Sequence, residues 1–414
     1  MGLLGVHAVR QYEKYLGLPS FVSRSKKASF SNIKERVWNK LQGWKHRFLS
    51  QAGKEILIKA VVQAISAFSM SCFKLLVGLC HDLEVLIRQF WGGGGSSENH
   101  KKIHLVRWSK LCQPMIRGNL GFRDLKLFND SLLAKQLWRL CHCTDSLFYR
   151  VFKEKFFRNC TILDTEVNPR GSYAWRSIFQ ARTMIQDGGR WRVGDGSKIK
   201  FWGDNWVDGA HTSKVISPRN YLPPEGLVSC LIDPVGRSWK HQLIHHLFLP
   251  HEATNILGMS LSSQCREDKL IWPHTSNDFY SVRSAYRFLI NRQTNEHPSH
   301  SRAEEDQTLW KHIWSLKVIP RVKSFIWKAC LEVLPTKSNL HHRHIIDSPV
   351  CEECHQGIED AMHALWHYKA IKPIWVESEL WQTLLSHPQW SLTELLISIM
   401  ADKDESTRMF AVTT

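Results

Sequence analysis

Acidic side chains are scarce relative to basic ones. Asp and Glu number 38 against 55 Lys and Arg in 414 residues, a formal net charge of +17. Also absent is any run of about 18 apolar residues, so no segment reads as a membrane span. Met1 to Val9 is a short apolar start without a basic leader region or a cleavage-like end, which argues against secretion. Eleven cysteines at scattered spacings form an odd set. Reduced thiols in a nuclear or cytoplasmic setting therefore fit better than disulfides. The glycine run Gly92–Gly95 lacks a Gly-Lys-Ser/Thr ending, which excludes a phosphate loop and leaves a hinge or linker.

Catalytic patterns are missing as well. There is no Tyr-x-Asp-Asp box, and two-metal phosphoryl transfer needs carboxylates that hold both ions. No Ser/His/Asp order or nucleophile elbow is present. His341, His342 and His344 read as a basic rim. Asp195 and Asp204 sit among turn-forming residues, and turn chemistry accounts for both. The sequence assigns no catalytic residue.

What the chain does have is cations among aromatics. A surplus of +17 beside 18 tryptophans points to a polyanionic partner, RNA or DNA, held by phosphate contact and base stacking. A helix is expected from about Ser29 to Leu49, with Ile33, Val37, Leu41, Trp44 and Phe48 on one stripe. A second follows Gly53, with Ile56, Leu57, Ala60, Val61, Ala64, Ile65 and Phe68 as its core face. Lys45, Arg47, Lys54 and Lys59 flank these stripes, and Lys101, Lys102 and Arg107 follow the glycine run. Trp191–Trp202 alternates about a Gly194-Asp-Gly-Ser turn and is expected to form a β-hairpin. In the stretch 310–346 cations face a single acid, Glu332, with Arg321, Lys323 and Lys328 as the candidate phosphate contacts. There Val322, Phe325, Ile326, Ala329, Cys330 and Val333 form the expected buried stripe.

The most specific pattern is Cys351-Glu-Glu-Cys354 followed by His363 and His367. Two cysteines on a tight turn can direct both sulfurs to one tetrahedral ion. Two histidines four apart project from one helix face. Two thiolates and two imidazoles would close a zinc sphere, which is the pattern of a structural site.

These residues carry a resemblance. Trp310-Lys-His-Ile-Trp314, Ile319-Pro-Arg-Val-Lys323, Phe325, Trp327-Lys328, Leu334-Pro-Thr336, Cys351/Cys354/His363 and Ile374-Trp375 resemble the zinc-binding domain that follows the reverse transcriptase in plant LINE-type (non-LTR) retrotransposons. That family's pattern closes with a cysteine five residues after the first histidine. Tyr368 stands there, so the fourth ligand is either missing or has passed to His367. Tyr15-Leu-Gly-Leu-Pro19, Leu41-Gln-Gly-Trp44 and Leu49–Lys59 resemble the segment after the polymerase palm, which implies a thumb role on a primer–template duplex. Gln113–Asp124 resembles the family's Gly-Gly-Leu-Gly-Phe signature, departing from it at Met115 and Asn119. Asn129, Ala134, Lys135, Gln136, Trp138 and Arg139 match a further element, and Trp272–Tyr286 the lead-in to the zinc-binding unit.

The expected architecture is multi-domain and mainly α with small β-hairpin elements. It has a thumb-like helical region at 11–145, a mixed α+β connector at 146–300 containing the 191–202 hairpin, and a small helical zinc-binding-like domain at 307–395. The resemblance implies a truncated reverse transcriptase remnant without palm or RNase H, a basic nucleic-acid-binding module with zinc as its cofactor. Two alternatives stand beside it: the tail of a functional RNA-directed DNA polymerase whose palm is encoded elsewhere, or an inert helical interaction scaffold.

Overall fold

A computed structural model describes residues 14–402, except for 16–17, 20–21, 23–24, 46, 93–105, 167–170, 210–212, 219–225, 263, 265, 296–302, 356, 377–380, 382–384 and 388–389. The chain is mainly α, and its described strands form two two-stranded sheets. Among the described residues no helix is long and apolar enough to cross a membrane. Two compact units divide the chain. One comprises Met1–Ser29, Ala67–Leu76 and Lys126–Gln293; the other comprises Phe30–Ser66, Val77–Leu125 and Thr294–Thr414. Each unit is drawn from separated stretches of the sequence.

The first unit has two apolar centres. In one, Leu133, Leu137 and Trp138 of the helix Leu125–His142 pack with Trp175, Ile178, Ile185, Leu270 and Trp272. Asn129, on the same helix, is buried and fully used. Its Oδ1 accepts from Leu75 N at 2.8 Å, and its Nδ2 donates to the carbonyls of Met70 (2.7 Å) and Phe73 (2.9 Å). It satisfies backbone groups where the helix Ala67–Cys72 ends, which helices otherwise leave without partners. The second centre gathers Phe201, Trp206, Val228, Leu231, Trp239, Ile244 and Phe248.

The expected 191–202 hairpin does not form. Arg190–Arg192 pairs antiparallel with Lys269–Ile271, in the register Trp191 with Leu270. The reason is a buried carboxylate. Asp268 Oδ1 accepts from Gly194 N (2.7 Å) and Gly196 N (2.9 Å), and its Oδ2 accepts from Lys198 N (2.8 Å). The loop wraps this acid instead of turning back on its own strand. Both glycines are required by that wrapping. A Cβ on Gly194 would lie 2.2 Å from Arg266 O, and Gly196 has φ +72° with Ser229 N where its Cβ would go.

In the second unit the helix Lys26–Lys45 contributes Phe30, Ile33, Val37 and Leu41 to the core, as the stripe predicts from Ile33 on. Phe48 lies beyond the helix and is fully exposed. The next stripe is a correction. Ile56 and Phe68 are exposed, and Ile58, Val62, Gln63 and Ser66 are buried instead. A π-helical turn at Ile58–Val62 widens the helix, so an apolar pattern read at 3.6 residues per turn selects the wrong face.

Two sequence signatures meet in this unit. Trp327 Nε1 donates to Gly118 O at 2.8 Å, and Trp314 Nε1 donates to Met115 O at 3.1 Å. The Trp310 indole lies against Gly118, which has φ +73° and whose Cβ would fall 2.2 Å from that ring. Trp91 joins the same aromatic group, edge-on to both Phe122 and Trp327 with ring centroids 6.0 Å apart. The Gln113–Phe122 turn is thus clasped by indoles from the helices Ala303–Ser315 and Pro320–Cys330.

Candidate metal centre

The centre is built on a short loop closed by an antiparallel bridge between Val350 and Ile358. Within it Cys351 N donates to Gly357 O (3.0 Å) and His355 N donates to Cys351 O (3.1 Å). His355 has φ +52°, the left-handed residue that folds the knuckle back on itself. Behind the loop lies the helix Lys337–His342, started by Thr336, whose hydroxyl accepts from Asn339 N. Ser338 N donates to Glu359 O (3.0 Å), and Lys337 pairs with Glu352 at 2.6 Å. The Leu334-Pro-Thr336 signature therefore has a local job, which is to start the helix that backs the knuckle.

Asp360 sets the histidine. Its Oδ1 accepts from His363 N at 2.7 Å, and its carbonyl accepts from Ala364 N at 3.0 Å. His363 then meets the cysteines. The ligand atoms of Cys351, Cys354 and His363 all lie within 4.8 Å of one another. Cys354 Sγ and His363 Nε2 are 3.5 Å apart. That matches the sulfur–nitrogen edge of a tetrahedral zinc site, about 3.5 Å from the usual Zn–S and Zn–N bond lengths. Backbone N–H groups of Cys354 and Glu353 aim at Cys351, with the side chains of His363 and Cys354 adding to them. Together they hold the Cys351 thiol down at about 7. A thiol that ionises easily is the form a metal requires. Two soft sulfurs and one imidazole nitrogen, already gathered, fit zinc.

His367, the expected fourth ligand, is not part of that group among the described residues. Residues His363–His367 form a π-helical turn in which Trp366 is buried, stacked on Trp375 with centroids 3.9 Å apart. Trp375 Nε1 donates to Leu365 O at 2.8 Å and locks that stack. His367 is exposed, and its imidazole is held below the ordinary range by partial burial and then by His363. Tyr368 stands close to the thiols. Its phenol is held above the ordinary range, first by burial and then by the negative charges of Glu353, Cys351, Cys354 and Glu359.

The candidate phosphate contacts sort by what they already hold. Lys101 and Lys102 lie outside the described residues. Lys59 is paired with Glu55 at 2.5 Å and lies over the Phe122 ring. Lys54 lies over the Phe90 ring, and Lys323 Nζ donates to Trp314 O at 2.9 Å. Lys45 and Lys328 are half-buried, while Arg47, Arg107 and Arg321 are exposed. All the described candidates belong to the second unit, where the helix Gln51–Leu57 packs beside Pro320–Cys330. In the latter helix Phe325, expected inward, is exposed, and Trp327 is fully buried.

Fold and site together define a mainly helical protein carrying a Cys/Cys/His knuckle. Residues 280–375 match the family zf-RVT, described as zinc-binding in reverse transcriptase. The chain is 33% identical over 370 residues to the "Putative ribonuclease H protein At1g65750" of Arabidopsis thaliana, an alignment covering 87% of this chain and 57% of that protein. It is 40% identical over 145 residues to the "Uncharacterized mitochondrial protein AtMg00310" of the same plant, covering 35% of this chain and 93% of that one. The chain belongs to a family of plant retrotransposon reverse transcriptase-related proteins. It spans little more than half the length of the first of these relatives.

Proposed function

We propose that this chain serves a LINE-type (non-LTR) reverse transcriptase as a holder of RNA or DNA, with zinc bound in the knuckle and no catalysis of its own. The observation that carries this reading is the adjacency of two basic elements within one unit. The thumb-like helix Gln51–Leu57 and the zinc-segment helix Pro320–Cys330 lie side by side, and between them they carry Lys54, Arg321, Lys323 and Lys328. Exposed Arg47, Arg107 and Arg321 are the phosphate contacts in this reading, and exposed Phe325 offers a face for a base. Zinc has a structural role here, fixing the loop that carries Cys351 and Cys354 to the turn that carries His363. The setting is nuclear or cytoplasmic, where thiols stay reduced.

Fluorescence anisotropy with a labelled single-stranded oligonucleotide and a primer–template duplex, repeated across salt concentrations, tests the reading. Affinity should fall steeply with salt. Reversing Arg47, Arg107 and Arg321 to Glu should reduce the log–log slope by about 2–3, because each phosphate that a cation neutralises adds roughly 0.7–0.9 to it. Binding indifferent to salt would refute it. In primer extension the purified chain is expected to yield no product.

A further inference from the structure

We propose that a metal in the knuckle is held by three donors of this chain, leaving its fourth position to an exogenous nitrogen or sulfur donor. The inference rests on the zinc reading above and goes beyond it. Three ligand atoms converge, those of Cys351, Cys354 and His363, and among the described residues no other Cys, His, Asp or Glu joins them. Of the groups nearest in sequence, Glu353 and His355 are exposed and do not join the cluster, and three more are committed elsewhere. Asp360 Oδ1 is taken by His363 N at 2.7 Å, and Glu352 is paired with Lys337 at 2.6 Å. Glu359 Oε1 faces the N–H of Lys337 at 3.3 Å. His367 is exposed and does not join the cluster. At position 368 stands a phenol, an oxygen donor harder than the sulfur and nitrogen donors that make up structural zinc sites.

Three protein donors with one open position is the coordination of a metal that accepts outside ligands, whereas four close it. The knuckle would therefore take the imidazole or thiol of another molecule, which a closed structural site does not.

Cobalt(II) substitution of the full chain reports this without any activity assay. Apo protein is titrated with cobalt under reducing conditions, and visible spectra are recorded before and after addition of imidazole. In the wild type the d–d bands should shift saturably with imidazole. Tyr368→Phe and His367→Ala should behave as the wild type does, because neither side chain is a ligand. Tyr368→Cys should bind cobalt with an added thiolate signature and show no imidazole shift. A wild-type spectrum indifferent to imidazole, made sensitive only by His367→Ala, would mean that His367 closes the site. That result overturns this inference and leaves the zinc reading intact. A Tyr368→Phe spectrum different from the wild type would mean that the phenol ligates, with the same consequence. No cobalt bands in the wild type would overturn both.

Discussion

Asp268 offers a test in which shape is held constant and only its hydrogen bonding is changed. Asp268→Asn keeps the volume of a nearly buried side chain but leaves one oxygen where there were two. If the amide oxygen stays on the Gly194 and Gly196 side, those two bonds lose charge assistance, about 1 kcal/mol each. The amide NH2 then faces the Lys198 N–H, donor against donor, which costs a further 1–3 kcal/mol, roughly. With the amide turned the other way, two N–H groups lose their acceptor. Either way the loss is about 3–5 kcal/mol. For a unit of roughly 200 residues that lowers the thermal midpoint by about 6–20 °C. Scanning calorimetry or near-UV circular dichroism measures it. Asp233→Asn is the control, since that carboxylate accepts from the Val235 and Gly236 N–H groups of its own turn, and it should cost less than about 1 kcal/mol. A midpoint for Asp268→Asn within about 2 °C of the wild type would refute the account of the loop.

Asn129→Ala strands the Leu75 N–H and the carbonyls of Met70 and Phe73, and should cost about 2–4 kcal/mol, read from the urea midpoint at unchanged slope. Burial is the largest influence on Glu84 and raises its pKa, although its carboxylate accepts from Leu125 N at 3.2 Å. A raised carboxyl favours folding only below the ordinary glutamate range, and that contribution is lost as pH rises through the folded value. Glu84→Gln, which keeps an acceptor oxygen, should therefore stabilise the protein at pH 7–8 and give no gain near pH 4. Equal effects at both pH values would rule this out. Protein purified without chelators should carry zinc that Cys351→Ser and His363→Ala lose and His367→Ala retains, as measured by metal analysis; loss in His367→Ala would restore the four-ligand expectation.

The features legible in the sequence are those decided locally. Cys351, Cys354 and His363 come together because a tight turn and a short helix suffice to bring them there. The stripe Ile33, Val37, Leu41 was readable because that helix keeps an ordinary pitch. Where distant groups intervene, local pattern misleads. The π-helical turn at Ile58–Val62 moves the buried face, and an alternation scored at fixed pitch has no means of detecting it. Asp268 lies some seventy residues from the loop it organises, so Gly194-Asp-Gly-Ser reads as a hairpin turn although its donors are spent on that acid. His367 stands outside the Cys351, Cys354 and His363 group, beside an indole stack between Trp366 and Trp375 that the spacing of histidines does not contain. Lys59 and Lys323 illustrate the same limit for charge. Counting cations cannot separate one facing a phosphate from one tied to Glu55 or to a backbone carbonyl.

The grip of three indoles on the Gln113–Phe122 turn bears on how such segments travel between proteins. A knuckle excised at residue 280 would leave Trp310, Trp314 and Trp327 without the backbone carbonyls and the glycine they rest on. Three bared aromatic faces invite self-association. The finger and the turn are one inheritance, and any recombination that moves the first without the second delivers a sticky fragment rather than a module.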